Sequence, residues 1–168
     1  IINSFYDAEK DLINRPRKTL LDRLISQRAK ITAYFTGNFL AVFMASAVSF
    51  RSVVFFSAFI FGIWLYSYKL KRMAFLGIFV SACLAITTFF TVFVYYKNLA
   101  PVIFVHAIFL FLLILARDMV KDLENLTGDL TQDYKTVAVT YGTTFSKYCV
   151  SVLLVATVFP TYLLITQF

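Results

Sequence analysis

Asn3, Asp7 and Asp11 are spaced four apart near the start of the chain, and Asp118 and Asp122 repeat the spacing late in it. Glu124, Asp129 and Asp133 follow the second pair. On a helix, positions four apart differ by about 40°, so each cluster forms one slanting stripe. Asp118, Asp122, Asn125 and Asp129 hold one face for as long as such a helix lasts. Like charges at this spacing destabilise a helix by roughly 0.2–0.5 kcal/mol, a cost that a cation between two stripes would relieve. Carboxylate and amide oxygens suit Mg²⁺, which keeps several waters and shares phosphate oxygens with a substrate. The chemistry implied is a divalent metal acting on an anionic, lipophilic substrate.

The elements that carry these stripes are dictated by composition. The chain is 60% hydrophobic, 18% aromatic and 15% charged, with a mean hydropathy of +0.78. Soluble domains are about 25% charged, so this composition excludes an ordinary soluble fold and points to an integral membrane protein. Apolar spans run over 31–49, 52–66, 73–95, 101–116 and 144–166. The second is shorter than the roughly 20 residues a crossing needs, so flanking tyrosines complete it. Arg51, and then Lys97 with Asn98, mark the turns on one side. Pro101 suits a first helical turn, and Pro160 predicts a kink.

Segments 1–30, 67–72 and 117–143 then fall together on the other side, with nearly all the Lys and Arg and all nine Asp and Glu. By the positive-inside rule that side is cytoplasmic. The net charge of +7 is therefore a topology and headgroup signal directed at membrane lipids, and not a nucleic-acid signal. No secretory leader is visible. Cys83 and Cys149 lie in apolar runs and read as small core hydrophobes.

Three segments in order resemble the UbiA superfamily of intramembrane prenyltransferases. Asn3-Ser-Phe-Tyr-Asp7-Ala-Glu-Lys-Asp11, followed by Asn14-Arg15-Pro16, resembles its first aspartate-rich motif. Arg117-Asp118-x3-Asp122, then Gly128-Asp129, Lys135-Thr136 and Tyr141-Gly142, resembles its second motif and downstream tail. Tyr66-Ser67-Tyr68-Lys69-Leu70-Lys71-Arg72 resembles its middle loop. The Asn-Arg-Pro and the Arg-Asp, Lys-Asp and Gly-Asp run are similar to geranylgeranylglyceryl phosphate prenyltransferases. The text departs at Arg17-Lys18-Thr19-Leu20, where the family has a second Arg-Pro and a short turn. That departure bears on the acceptor side.

The resemblance implies an all-α, multi-pass transmembrane bundle over 1–168, a single domain expected to be a fragment lacking the first and last helices. It implies transfer of an isoprenyl group from its diphosphate to a lipophilic acceptor, with Mg²⁺ held by Asn3, Asp7, Asp11, Asp118 and Asp122 and the four aspartates catalytic. Lys71, Arg72, Arg117, Lys121 and Lys135 are the candidates for the diphosphate oxygens. Tyr66 and Tyr68 would face the allylic cation or the acceptor, or anchor at the interface. A glycerol phosphate ether lipid, an aromatic quinone precursor and a porphyrin are all open as acceptor.

Other features are read more plainly. His106, the sole histidine, is expected to be a buried, hydrogen-bonded imidazole. Asn125-Leu126-Thr127 matches a glycosylation sequon but falls on the inferred cytoplasmic side. Gly37 and Gly62 are expected at close helix contacts. Two alternatives compete: a transporter with a metal-binding cytoplasmic mouth, and a non-catalytic remnant. No span carries an acid at its centre, against an ion pathway. The Asp-Gly and Ala-Arg pattern of phospholipid alcohol phosphotransferases is absent from both clusters.

Overall fold

A computed structural model describes residues 1–97 and 99–167. In chain order the helices are α1 (Ile2–Tyr6), α2 (Ala8–Asn14), α3 (Pro16–Asp22), α4 (Gln27–Val48), α5 (Phe50–Tyr68), α6 (Ala74–Tyr95), α7 (Pro101–Glu124), α8 (Leu126–Thr131), α9 (Val137–Tyr141), α10 (Thr143–Ala156) and α11 (Val158–Thr166). A single 3-10 turn, Leu70–Arg72, links α5 to α6. Among the described residues the only β pairing is an isolated parallel bridge between Met73 and Lys135. The protein is all-α, as the apolar spans predict.

Five segments are long and apolar enough to cross a membrane: Gln27–Val48, Phe50–Arg72, Ala74–Tyr95, Pro101–Glu124 and Thr143–Thr166. A helix satisfies its own backbone groups, which is what hydrocarbon requires. The chain divides into two compact units, Ile1–Leu70 and Lys71–Phe168.

In the first unit α4 packs on α5, α1 packs on α5, and α2 on α3. Ser26 caps α4 by accepting from the Ala29 N–H at 3.2 Å. Ser49, fully extended, both ends α4 and caps α5 through the Ser52 N–H at 3.1 Å. The turn between these helices is thus one residue, and Arg51 lies inside the first turn of α5. Two capping serines explain why α4 starts four residues before the apolar run and α5 two before it. Pro16 occupies the first position of α3, where its missing N–H costs nothing. Gly37 faces open space, so the expected close helix contact is not made there. The bulky Phe35, Phe39 and Phe43 on the same helix are also exposed. Gly62 is half-buried.

In the second unit α7 is the central helix, with α6, α10 and α11 packed on it. Ile78, Met119 and Val137 form the core, flanked by Ala74, Leu115, Cys149, Val150 and Leu153. Ala82 on α6 and Ala107 and Ala116 on α7 are buried, small residues of the kind that let membrane helices approach closely. Cys149 packs against this core, and both cysteines are free thiols.

Three features differ in detail from expectation. The fourth span does not stop at 116 but continues as helix to Glu124, so the second acidic pair rides on a membrane helix and not in a loop. The break in the last span falls at Thr157, after Ala156 and before Pro160. A proline ring collides with the carbonyl four residues earlier, which here is that of Ala156. His106 is exposed, and its Nδ1 lies 2.8 Å from the Val102 carbonyl of its own helix. The imidazole is hydrogen-bonded but not buried. Lys97 turns the chain with φ +53°, while Asn98 lies outside the described residues.

Candidate active site

The first stripe is built by a helix that breaks on its own aspartate. Asp7 sits between α1 and α2 with φ −96° and ψ 6°, in the sparsely populated bridge region. The i→i−4 bonding nevertheless runs through the break: the Asp7 N–H donates to the Asn3 carbonyl at 2.9 Å, Asp11 to Asp7 at 2.7 Å and Arg15 to Asp11 at 2.7 Å. Asn3, Asp7 and Asp11 therefore stay in one-turn register, as their spacing predicts. Asp7 is buried at 7% exposure, whereas Asn3 and Asp11 are half-buried.

Tyr66 and Tyr68 belong to the same unit, at the end of α5. The Tyr68 ring stacks on Trp64 at 5.5 Å and meets the edge of Tyr6 at 5.7 Å. Tyr6 precedes Asp7, so this aromatic cluster fixes the end of α1 that carries the stripe. Between the two tyrosines, Ser67 is buried and its hydroxyl has no hydrogen-bond partner among the described residues.

The second stripe stands on firmer packing. Asp118 is buried on α7, beside Met119 of the core. Its Oδ1 accepts from Arg117 Nε at 3.0 Å and Nη2 at 2.8 Å. Its Oδ2 is buried with no hydrogen-bond partner among the described residues. A buried carboxylate oxygen without a donor costs of order 1–3 kcal/mol, so this atom is a candidate ligand for a cation or a further donor. Asp122 follows one turn later, half-buried. The helix ends at Asn125, and α8 resumes with the Asp129 N–H donating to the Asn125 carbonyl at 3.0 Å. Asp129 is fully buried on α8. The 4, 3, 4 spacing thus spans a break that the spacing itself does not reveal.

Arg117 and Lys121 lie on another face of α7, along a groove that also exposes Glu124 and is closed by Val150 and Leu154 of α10. Leu115 and Met119 instead line an apolar cavity of about 440 Å³, walled by Phe75, Ile78 and Phe79 of α6 and by Phe145, Tyr148 and Cys149 of α10. One helix therefore presents acids, cations and an apolar wall on successive faces.

Lys71, Arg72 and Lys135 are brought together although 63 positions separate Arg72 from Lys135. The Lys135 N–H donates to the Arg72 carbonyl at 2.9 Å. Between them lies Tyr134, buried at 3% exposure, with the Arg72 guanidinium 5.0 Å and the Lys71 ammonium 6.0 Å from its ring centre. Sequence reasoning did not single out Tyr134. The available signal was an aromatic residue in an otherwise polar segment directly before Lys135.

Among the described residues no three His, Cys, Asp or Glu side chains converge as a complete metal cage. The donors present are all oxygens: Asp118, with its orphaned Oδ2, and Asp122 in one unit, and Asn3, Asp7 and Asp11 in the other. A partial oxygen shell fits Mg²⁺, which is bound through one or two carboxylates plus waters and substrate phosphates and not by all-protein cages.

Comparison with known proteins is consistent throughout. The model of the UbiA prenyltransferase family matches residues 1–168. A digeranylgeranylglyceryl phosphate synthase of Thermococcus gammatolerans is 34% identical over 167 residues, covering 96% of this chain and 58% of the relative. Relatives of the same name from Thermococcus sibiricus and Korarchaeum cryptofilum are each 30% identical, covering 97% and 96% of this chain and 58% of their own lengths. The chain thus spans 58% of the length of these curated relatives. No solved structure matches it significantly. With both aspartate stripes, the basic middle loop and a match along its whole length, the chain belongs to the UbiA prenyltransferase family.

Proposed function

We propose that this multi-pass membrane protein works as an Mg²⁺-dependent prenyltransferase, moving an isoprenyl group from its diphosphate to a lipophilic acceptor at a cytoplasm-facing site. The observation that carries the proposal is Asp118: a buried carboxylate with one orphaned oxygen, a turn from Asp122, at the polar end of a membrane helix. The relatives' name supports a glycerol phosphate ether lipid as acceptor, over an aromatic quinone precursor or a porphyrin. The cytoplasmic assignment rests on the sorting of Lys and Arg between the loops.

The difficult step is departure of diphosphate from an allylic carbon. Bound Mg²⁺ would neutralise the charge that builds on the leaving group. Asp118 and Asp122 in one unit, and Asn3, Asp7 and Asp11 in the other, are the residues that would supply its oxygen ligands. Lys121, Lys71, Arg72 and Lys135 donate N–H groups to the diphosphate oxygens, Arg72 through a forked pair, and Arg117 contributes its charge and the N–H groups that Asp118 does not engage. The isoprenyl tail lies against the apolar wall of α6, α7 and α10. A tail filling the 440 Å³ cavity would displace water that could otherwise capture the cation. Aromatic faces near the tail stabilise positive charge as it develops, and Tyr66 and Tyr68 serve that role or contact the acceptor.

The test is incorporation of radiolabelled geranylgeranyl diphosphate by membranes containing the full-length protein. It is run with Mg²⁺ or EDTA, with wild type or Asp118→Ala, and with geranylgeranylglyceryl phosphate or an aromatic acid as acceptor. Product that needs Mg²⁺ and vanishes in the variant supports the reading. Absence of product with every acceptor, in well-expressed protein, overturns it in favour of a remnant or a transporter.

A further inference from the structure

Resting on the reading just given, we infer that Tyr134 is a positioning residue that holds Lys71 and Arg72 ready for the diphosphate. Neither aspartate motif nor the basic loop contains it. Its placement follows from local backbone geometry. Gln132 ends α8, and Asp133 adopts a left-handed conformation with φ +52°, one that an aspartate tolerates better than most side chains. That reversal lets the Tyr134 N–H donate to the Asp129 carbonyl at 2.9 Å, and the ring turns inward to 3% exposure. The next residue, Lys135, is bonded by its N–H to the Arg72 carbonyl, and the Met73–Lys135 bridge completes the junction.

The ring therefore sits against a loop whose backbone is already tied to its own. Two cations lie over it, Arg72 at 5.0 Å and Lys71 at 6.0 Å. Like charges crowded into one short turn repel, and an electron-rich ring face offsets that repulsion without neutralising the Arg72 guanidinium. An acid would have served the packing but consumed the N–H donors. Among the described residues no carboxylate pairs with the Arg72 guanidinium, which lies over the ring at 5.0 Å with its N–H groups available to an anion. An arginine held over an aromatic ring keeps its planar fork pre-organised, and less freedom is lost when the fork closes on phosphate.

The experiment measures affinity for inorganic diphosphate by calorimetry on the full-length chain in detergent micelles with Mg²⁺. Michaelis constants for geranylgeranyl diphosphate and for the acceptor are measured alongside. Arg72→Ala is the reference for loss of the cation. Tyr134→Leu, which keeps the bulk and removes the ring face, should weaken diphosphate binding about fivefold. It should raise the Michaelis constant of the prenyl diphosphate and leave that of the acceptor unchanged. Tyr134→Phe should stay within about twofold of wild type, because the face and not the hydroxyl acts on the cations. Adding Tyr134→Leu to a Lys71→Ala/Arg72→Ala background should weaken binding no further, because no cation is then left for the ring to hold.

A Tyr134→Leu protein that folds and binds diphosphate like wild type overturns the inference. So does a Tyr134→Phe protein as weak as Arg72→Ala, which also decides the matter if the leucine variant fails to fold. Failure of the underlying reading looks different: Arg72→Ala itself would leave diphosphate affinity unchanged, or wild type would bind none.

Discussion

The two units solve one problem, presenting acids in one-turn register at a helix end, in different ways. In Ile1–Leu70 the acids stand on two short helices that interrupt each other at Asp7, and the interruption is stabilised by the Tyr6, Trp64 and Tyr68 rings. In Lys71–Phe168 they stand on a 24-residue helix whose own Met119 is pinned in the core between Ile78 and Val137. Of the candidate spans the α7 window is buried most, at 28%, against 6% for those of α4 and α5 and also for Thr143–Thr166. Backbone geometry places the first stripe and side-chain packing places the second. The lesson is that a motif of fixed spacing does not require one kind of support.

Substitutions can break this comparison, and the largest effect is expected in the packed unit. Asp118→Ala should lower prenyl transfer about 10³-fold, the loss typical of removing a group that stabilises developing charge. A residual rate near wild type would sink its role. Asp7→Ala should cost about 10²-fold in the same membrane assay, less because half-buried Asn3 and Asp11 remain in register as oxygen donors. Equal activity of Asp7→Ala and wild type would show that the first stripe is only a helix end.

Stability measurements sharpen the contrast. Met119→Ala should destabilise the protein by about 1.5 kcal/mol in reversible denaturation in mixed micelles, through lost packing and a residual cavity. The value is below that of a water-soluble core because lipid tails are themselves apolar. A neutral result would remove the packing account of how α7 is held. The smallest effect belongs to Ser26→Ala, which deletes the cap on α4 and should cost about 1 kcal/mol or less. Hydrogen exchange should then quicken at Ala29 and leave α7 untouched, and protection lost across the second unit would contradict the division into units.

Much of this was legible in the sequence because hydrocarbon imposes a strong constraint. Runs of apolar residues bounded by Lys and Arg located five spans, and Pro101 located the start of α7. The acids could be paired by spacing alone, since a one-turn repeat is a property of any helix. What the sequence concealed was where helices stop. Nothing in the string distinguishes Asp7 or Asn125 as a break, because both depend on partners in three dimensions: the rings beside Tyr6 in one case, the packing of α8 in the other. Arg117 to Glu124 lie beyond the apolar run that ends at 116, and they continue the same helix, held by the core contacts of Met119. Tyr134 was concealed for the same reason, since its meaning lies in a segment 62 residues earlier.

The bond from Lys135 to Arg72 is made between main chains. Side chains at either position can change without breaking it, and only proline at 135 would remove the donor. The alignment of the two segments is thus insulated from the identity of the residues they display. A lineage could exchange the cations here, retuning the headgroup that is accepted, while the frame that aims them is inherited intact.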